Sequence, residues 1–299
     1  MSDNLKELSE AFAKAMQEGL AAEDSRRAIA VKIVKYLSDS IAQEDVASLL
    51  LPKEYIPLGQ TAEYSIPGKL KAFWHEPGSY APRSQMVNKT FTVPTGLISA
   101  HPEYELGQLE SGRYGSMQDQ IQAAKEAILG AINAKAFNTL TGSVATTANN
   151  YATCSGALTM TALNEAINYV EDQVGGATAI VGRRNVLNRI LDWNTSTYEI
   201  GVFSDSMKDQ IIKTGKIQAY RGIPLVGLTQ WRDGFGKVTI PEGEVLVVGK
   251  DVGRYAVTQE LRSQDAIDVD TLVWHLHMYM RVGFAVFFPE RLYRLTIVP

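Results

Sequence analysis

From Leu272 to Phe288 apolar side chains recur at every second position. One face reads Leu272, Trp274, Leu276, Met278, Met280, Val282, Phe284, Val286 and Phe288, and the other begins Val273, His275, His277, Tyr279, Arg281. Successive side chains of a strand point to opposite faces, so this pattern predicts one long antiparallel strand with a single buried face. It exceeds the usual strand of about 3–10 residues, so a bend or a passage between two parts of the molecule is expected, with Gly283 as the bend. Such a strand needs another layer to cover it.

Two regions offer that layer. Residues 1–50 read as helical. Leu5, Leu8, Phe12, Met16 and Leu20 make one apolar stripe, and Val31, Val34, Leu37 and Ile41 make a second. This segment holds nine acidic and six basic side chains, a net of −3. A nucleic-acid-binding arm would be basic, so protein contact or simple docking on the chain's own core is expected. The other region runs from Ser116 to about Leu140. There Ile121, Ala124, Ile128, Ala131 and Ile132 share one side, while Gln118, Gln122, Lys125, Glu126 and Lys135 face elsewhere.

Between these regions Pro52 and Pro57 end the helical pattern. A long Pro-punctuated excursion follows, Tyr64-Ser-Ile-Pro-Gly-Lys-Leu-Lys-Ala-Phe-Trp-His-Glu-Pro-Gly-Ser-Tyr-Ala-Pro-Arg83, then a second extended run, Asn88-Lys-Thr-Phe-Thr-Val-Pro94. Proline lacks a ladder donor, so an irregular ribbon or edge strands are expected, not a sheet centre. A loop this long with aromatic and basic residues near its tip cannot cover its own surface and usually touches something else. It is locally positive, with Lys69, Lys71, Arg83 and Lys89 against Glu63 and Glu76, and the bridge after it carries Glu103, Glu105 and Glu110. Opposite signs on adjacent elements suit contact between neighbouring copies, although solvated surface charge explains them equally well.

Thr141–Ser155 is small and polar and reads as a loop or junction. Beyond it helix and strand alternate. Leu163, Ala166, Ile167, Val170 and Val174 make an amphipathic helix, with Thr161 as its cap and Gly175-Gly176 as its stop. A buried strand is expected at Ala179–Val181, a helix over Val186, Leu187, Ile190 and Leu191, and short strands at Ile223–Leu228 and Val245–Val248. The fold class is α+β.

Catalytic motifs are missing. There is no phosphate-binding glycine loop, no zinc-protease HExxH and no nucleophile elbow. His275 and His277 share a strand face, but no carboxylate or cysteine cluster accompanies them, so a structural role is expected. Asp265, Asp268 and Asp270 read as a solvated acidic turn. Cys154 stands alone without an activating base, which excludes an intramolecular disulfide and argues against a catalytic thiol. No enzyme activity, cofactor or metal is expected. With 299 residues, 45% of them hydrophobic, the chain can bury a large core in about two domains. The formal charge of −4 is no global nucleic-acid footprint. No apolar run reaches the roughly 18 residues of a membrane span and no secretory signal opens the chain, so a soluble protein made inside the cell is expected.

The order of an extended loop feeding a long helix resembles the major capsid proteins of tailed phages with the HK97-type fold. Thr178-Ala-Ile-Val-Gly-Arg-Arg-Asn-Val-Leu187 resembles the strand, turn and helix of that family's axial domain. Lys213-Thr-Gly-Lys-Ile-Gln-Ala-Tyr-Arg-Gly-Ile-Pro-Leu-Val226 resembles a loop and its returning strand, and Pro289–Ile297 resembles the C-terminal strand. The resemblance implies an N-terminal helical arm (1–55), an extended loop (56–100), a peripheral domain with a spine helix (101–157 and 256–299) and an axial domain (158–255). It implies a subunit that assembles into pentamers and hexamers of an icosahedral shell around double-stranded DNA, touched nonspecifically. Lys69, Lys71, Phe73, Trp74, Tyr80 and Arg83 would contact a neighbour, with Glu103, Glu105 and Glu110 as partners near the spine helix. Scaffolding and portal proteins are implied as partners, decoration proteins are a further option, and no membrane is involved. The location implied is the virion capsid, with the host cytoplasm during assembly. Some members crosslink a loop lysine to a neighbour's asparagine. Lys69, Lys71 and Lys89 lie in the equivalent loop, but no asparagine can be matched. Two other readings stay open: an encapsulin-like nanocompartment, which shares the fold, and a soluble α+β enzyme, against which the missing catalytic constellation argues.

Overall fold

The computed structural model describes residues 23–298 except 58, 67, 69–71, 75–78, 81–83, 106–113, 195–218, 231–238 and 269. The first expected helical stripe, Leu5 to Leu20, lies outside the described residues. One sheet is built on a long hairpin of β11 (Gly253–Asp268) and β12 (Val273–Val286), flanked by β1 (Lys53–Tyr55) on β11 and by β4 (Thr95–Ala100) and β5 (Glu103–Glu105) on β12. The expected strand is therefore present, with Trp274, Leu276, Met278, Met280, Val282 and Phe284 all buried. Leu272 falls instead in the hairpin turn, exposed and at φ 52°. Gly283 has a different reason from the expected bend. A Cβ there would lie 2.5 Å from the Pro94 carbonyl oxygen, so it permits close approach of the chain entering β4. The register irregularities fall in β11, between Val257 and Arg262.

Two helices cover the buried face. Helix α1 (Glu23–Glu44) packs Ile29, Ile33, Leu37 and Ile41 into the core. Its buried row repeats every four residues, and it corrects the expected one: Val31 is 67% exposed. A short helix, α2 (Ala47–Leu50), follows, and the amide of Ala47 donates to Asn133 Oδ1 at 3.1 Å. Asn133 lies on α3 (Tyr114–Ser143), thirty residues and about 45 Å long at 1.5 Å rise per residue. Ile121, Ala124, Ile128, Ile132, Phe137 and Leu140 are buried as its periodicity requires. Lys125 was expected outside and is not: it is 6% exposed and donates to Glu44 Oε1 at 2.6 Å. A buried ammonium needs a partner, and this one ties α3 to the end of α1.

The second sheet has the order β6-β13-β10-β7-β9-β8. Its strands are β6 (Tyr151–Ser155), β7 (Ala177–Arg183), β8 (Ala219–Tyr220), β9 (Ile223–Leu228), β10 (Glu244–Gly249) and β13 (Leu292–Val298). One expectation changes here. Tyr151–Ser155, expected as loop, is a strand parallel to β13, and β13 lies between β6 and β10. Alternate residues face opposite layers. Val181, Leu246 and Val248 join the core shared with α3, while Ile180, Val245, Val247 and Leu295 pack with α4 (Met160–Val174) and the single turn α5 (Arg184–Leu187). A 3-10 segment, Asn188–Asn194, continues α5. The cap of α4 is Thr159, not Thr161: its hydroxyl accepts from the Ala162 amide, and Gly175 closes the helix at φ 76°.

Arg294, ion-paired to Glu244 within the second sheet, links that sheet to the end of α3. Arg294 donates to both oxygens of Glu244, at 2.9 and 2.8 Å, and also to the carbonyls of Thr141 and Val144. The Thr296 hydroxyl adds a bond to the same carboxylate. A forked guanidinium thus satisfies carbonyls at the C-terminus of α3 while neutralising a buried carboxylate.

Candidate assembly surfaces

Strands β2 (Glu63–Ile66) and β3 (Lys89–Thr92) form a two-stranded ribbon, Glu63 opposite Thr92 and Ile66 opposite Lys89. As the prolines require, it stands outside both larger sheets. Its base is fixed: Tyr64 and Phe91 pack on Phe287 with ring centroids 5.5 and 5.1 Å apart, and Ala62 and Val93 sit against Ala256. Beyond the base its apolar side chains lose cover. Trp74 is fully exposed at 105%, and Phe73, Tyr80, Met86 and Val87 are exposed too. Aromatic surface left bare on an anchored ribbon marks an interaction site more than a folding element. The candidate residues Lys69, Lys71 and Arg83 lie outside the described residues, as does Glu110.

Glu103 and Glu105 stand on β5, paired to β12 opposite His275 and Val273. Tyr104 between them turns inward and packs on Trp274, 5.2 Å between centroids. Burial pushes its hydroxyl pKa well above the usual value. The two glutamates face outward, exposed. Glu103 Oε1 lies 3.4 Å from His275 Nδ1. His277 packs on His101, 3.9 Å between rings, and its pKa is lowered, first by desolvation and then by the His101 charge. Among the described residues no three His, Cys, Asp or Glu side chains converge as a metal site. Asp265 lies 4.0 Å from Arg26, and Asp268 caps the hairpin turn, accepting from the Asp270 amide and the Thr271 hydroxyl.

Sequence reasoning missed a third surface. A groove runs between β4–β5 and α3, walled by Ile98, Ala100 and Pro102 on one side and by Ala123, Ala127 and Ala131 on the other. The alanines recur every four residues, a signal legible in the sequence. Cys154 is buried in the second sheet. Asp45, at the junction of α1 and α2, is buried 3.9 Å from Lys53, and desolvation raises its pKa against the pull of that lysine. Neither group stands beside a nucleophile–base pair. What the described residues offer is contact surface.

The chain matches the family model described as "SPbeta prophage-derived putative capsid protein YonB" over residues 5–286. No curated protein sequence matches it. Solved structures do. A chain of Gordonia phage Cozz superposes with a TM-score of 0.63 at 15% identity, covering 85% of this chain and 87% of that one. A chain of Mycobacterium phage Ogopogo gives 0.61 at 13% identity, covering 85% and 92%. The virus-like particle from Pyrococcus furiosus gives 0.55 at 14% identity, covering 88% and 97%. The fold is the one shared by these chains, an α+β HK97-type capsid fold.

Proposed function

The chain belongs to the YonB family of prophage-derived capsid proteins, and from that premise we propose that it is the repeating subunit of an icosahedral phage shell. Pentamers and hexamers of this one chain enclose double-stranded DNA, which the inner surface touches without sequence preference. The family match across residues 5–286 carries the reading. The anchored ribbon with its bare aromatic tip supports it.

In this reading α1, α2 and β1, expected as part of an arm, go with the first sheet and α3 in the peripheral part, and the ribbon of β2 and β3 clasps a neighbour. The second sheet with α4 forms the axial part, and β6 and β13 go with it because they pair there. Phe73, Trp74 and Tyr80, with Lys69, Lys71 and Arg83, meet a neighbouring copy near its Glu103, Glu105 and Glu110. Each contact is weak, and repetition over the shell supplies avidity. Scaffolding and portal proteins assist assembly in the host cytoplasm, and the finished subunit resides in the virion. The subunit performs no catalysis.

Electron microscopy and sedimentation of the purified protein test this. Closed shells or capsomer rings are expected. A uniform monomer or dimer, with and without crowding agents and scaffold, would overturn it. Shells filled with a cargo enzyme in place of DNA would reassign the protein to a nanocompartment.

A further inference from the structure

The face of the first sheet turned away from α1 and α3 gathers three of the chain's four histidines. His275 and His277 alternate on β12 with the buried Trp274, Leu276 and Met278, so both side chains leave the strand on the side opposite the core. The turn between β4 and β5 brings His101 alongside them. Pairing fixes its place from both directions: Ala100 stands opposite Met278, Glu103 stands opposite His275, and the Leu276 amide donates to the Pro102 carbonyl at 3.1 Å. Two rungs result on one surface. In the first, the rings of His101 and His277 lie 3.9 Å apart between centroids, their planes 43° from parallel. In the second, His275 Nδ1 is 3.4 Å from Glu103 Oε1. His101 is exposed and His277 half-buried, so solvent reaches the first rung. On sequence alone His275 and His277 lack a further donor, and it is the fold that supplies His101.

We propose that His101 and His277 form a two-imidazole chelate for a divalent transition-metal ion: zinc, copper or nickel. Imidazole suits these three ions, whereas magnesium and calcium take oxygen donors. Both rings stand on paired backbone of one sheet, so little freedom is lost when they close on the same ion. A tetrahedral ion bonded to two imidazoles at about 2.0–2.1 Å sets their ring centres roughly 5 Å apart, so these rings need to part by about 1 Å. Turns about the side-chain bonds supply that without moving the strands. Among the described residues no third His, Cys, Asp or Glu converges on the pair, so water completes the coordination. The site is therefore an open chelate and not a closed four-ligand centre. His275 stays with Glu103 in the second rung. An ion on the first rung ties β12 to the turn between β4 and β5, and it stabilises the folded chain by mass action. The site lies within a single copy, so it stands or falls independently of the shell reading.

Calorimetric titration of the full chain with zinc, and pulsed EPR of the same chain loaded with copper, test it in a non-coordinating buffer at neutral pH. The fourth histidine is removed throughout by His75→Gln. One zinc should bind per chain. His101→Gln and His277→Gln should each weaken it at least about tenfold, the loss expected when one of two ligands goes, while His275→Gln leaves the affinity within about threefold. Copper should show two imidazole nitrogens in the parent chain and one in either ligand variant. A structural role for the ring pair would not move that signal, and urea midpoints without metal check that the variants fold. A single-nitrogen spectrum in the parent chain, or zinc binding that is undetectable or indifferent to His101→Gln and His277→Gln, would overturn the proposal and mark any zinc present as adventitious. So would a loss on His275→Gln as large as on His101→Gln, because the ion would then sit across both rungs.

Discussion

Strand β10 is buried at all six positions, β12 at alternate ones from Val273 to Val282, and β4 at none. The second sheet lies between α3 and α4 and presents apolar residues to both. Among the described residues the first sheet has helices on one face, its strand β4 pairs on one side, and its ribbon leaves Phe73, Trp74 and Tyr80 exposed. One part of the molecule consumes its apolar surface internally, and the other holds surface back. Damage in the two regions should therefore read out differently: as lost stability in the second sheet, and as lost assembly at the ribbon.

The largest effect separates the regions cleanly. Trp74→Ala should abolish shells seen by electron microscopy, yet shift the urea stability of the free subunit by no more than about 0.5 kcal/mol, because the side chain has no cover to lose. Normal shells from this variant would remove the ribbon from assembly. Arg294→Ala should cost about 3–5 kcal/mol in the same titration, since it strands the Glu244 carboxylate in the interior. A Glu244→Leu/Arg294→Leu double variant should recover much of that loss. Leu246→Ala, between β10 and α3, should cost about 2–5 kcal/mol through its cavity. Shells that survive this loss would confirm that core stability and assembly are separable.

Smaller changes probe the first sheet and its junctions. Leu272→Gly should stabilise by roughly 1 kcal/mol, because an exposed leucine is held at φ 52° where glycine is unstrained. Asp45 gives a pH signature. Its folded-state pKa is raised by burial, so the folded chain holds this proton more tightly than the unfolded one. The group therefore favours folding at low pH, and that contribution is lost as pH rises through its folded value. Asp45→Asn should show the higher urea midpoint at pH 7, with the gap closing as pH falls through the carboxylate range. A lower midpoint at pH 7 would mean that Lys53 outweighs desolvation.

The same asymmetry explains what the sequence disclosed. The alternation of β12 was legible because one face is wholly apolar, and α3 and α4 were legible because each buries one stripe. Strand β11 gave no such signal. Its register shifts at Gln259, and from Arg262 its residues are mostly polar, so no period survives. Strand β6, Tyr151-Ala-Thr-Cys-Ser155, is small and polar, and its place is dictated by parallel pairing to a strand far along the chain. Lys125 interrupted the helix pattern because its charge is answered by Glu44, a partner that periodicity cannot reveal. Of the candidate contacts, Trp74 and Tyr80 were recognisable as aromatics in a proline-rich loop. The pairing of His101 with His277 was not, because it is made by segments that meet from distant parts of the chain.

The position of β13 bears on how the protein is made. The helix α3 is complete at Ser143, but the strand that lies between β6 and β10 begins only at Leu292. Ribosomes adding 5–20 residues per second need roughly 7–30 s to cover that interval. During it β6 has no partner on either side, while the β11–β12 hairpin is translated before its sister sheet can close. A nascent chain thus acquires its outward-facing parts first and its enclosed sheet last. Chaperones that hold unpaired strands have their natural window here, and a polypeptide stalled before Leu292 would expose β6 and β10 together.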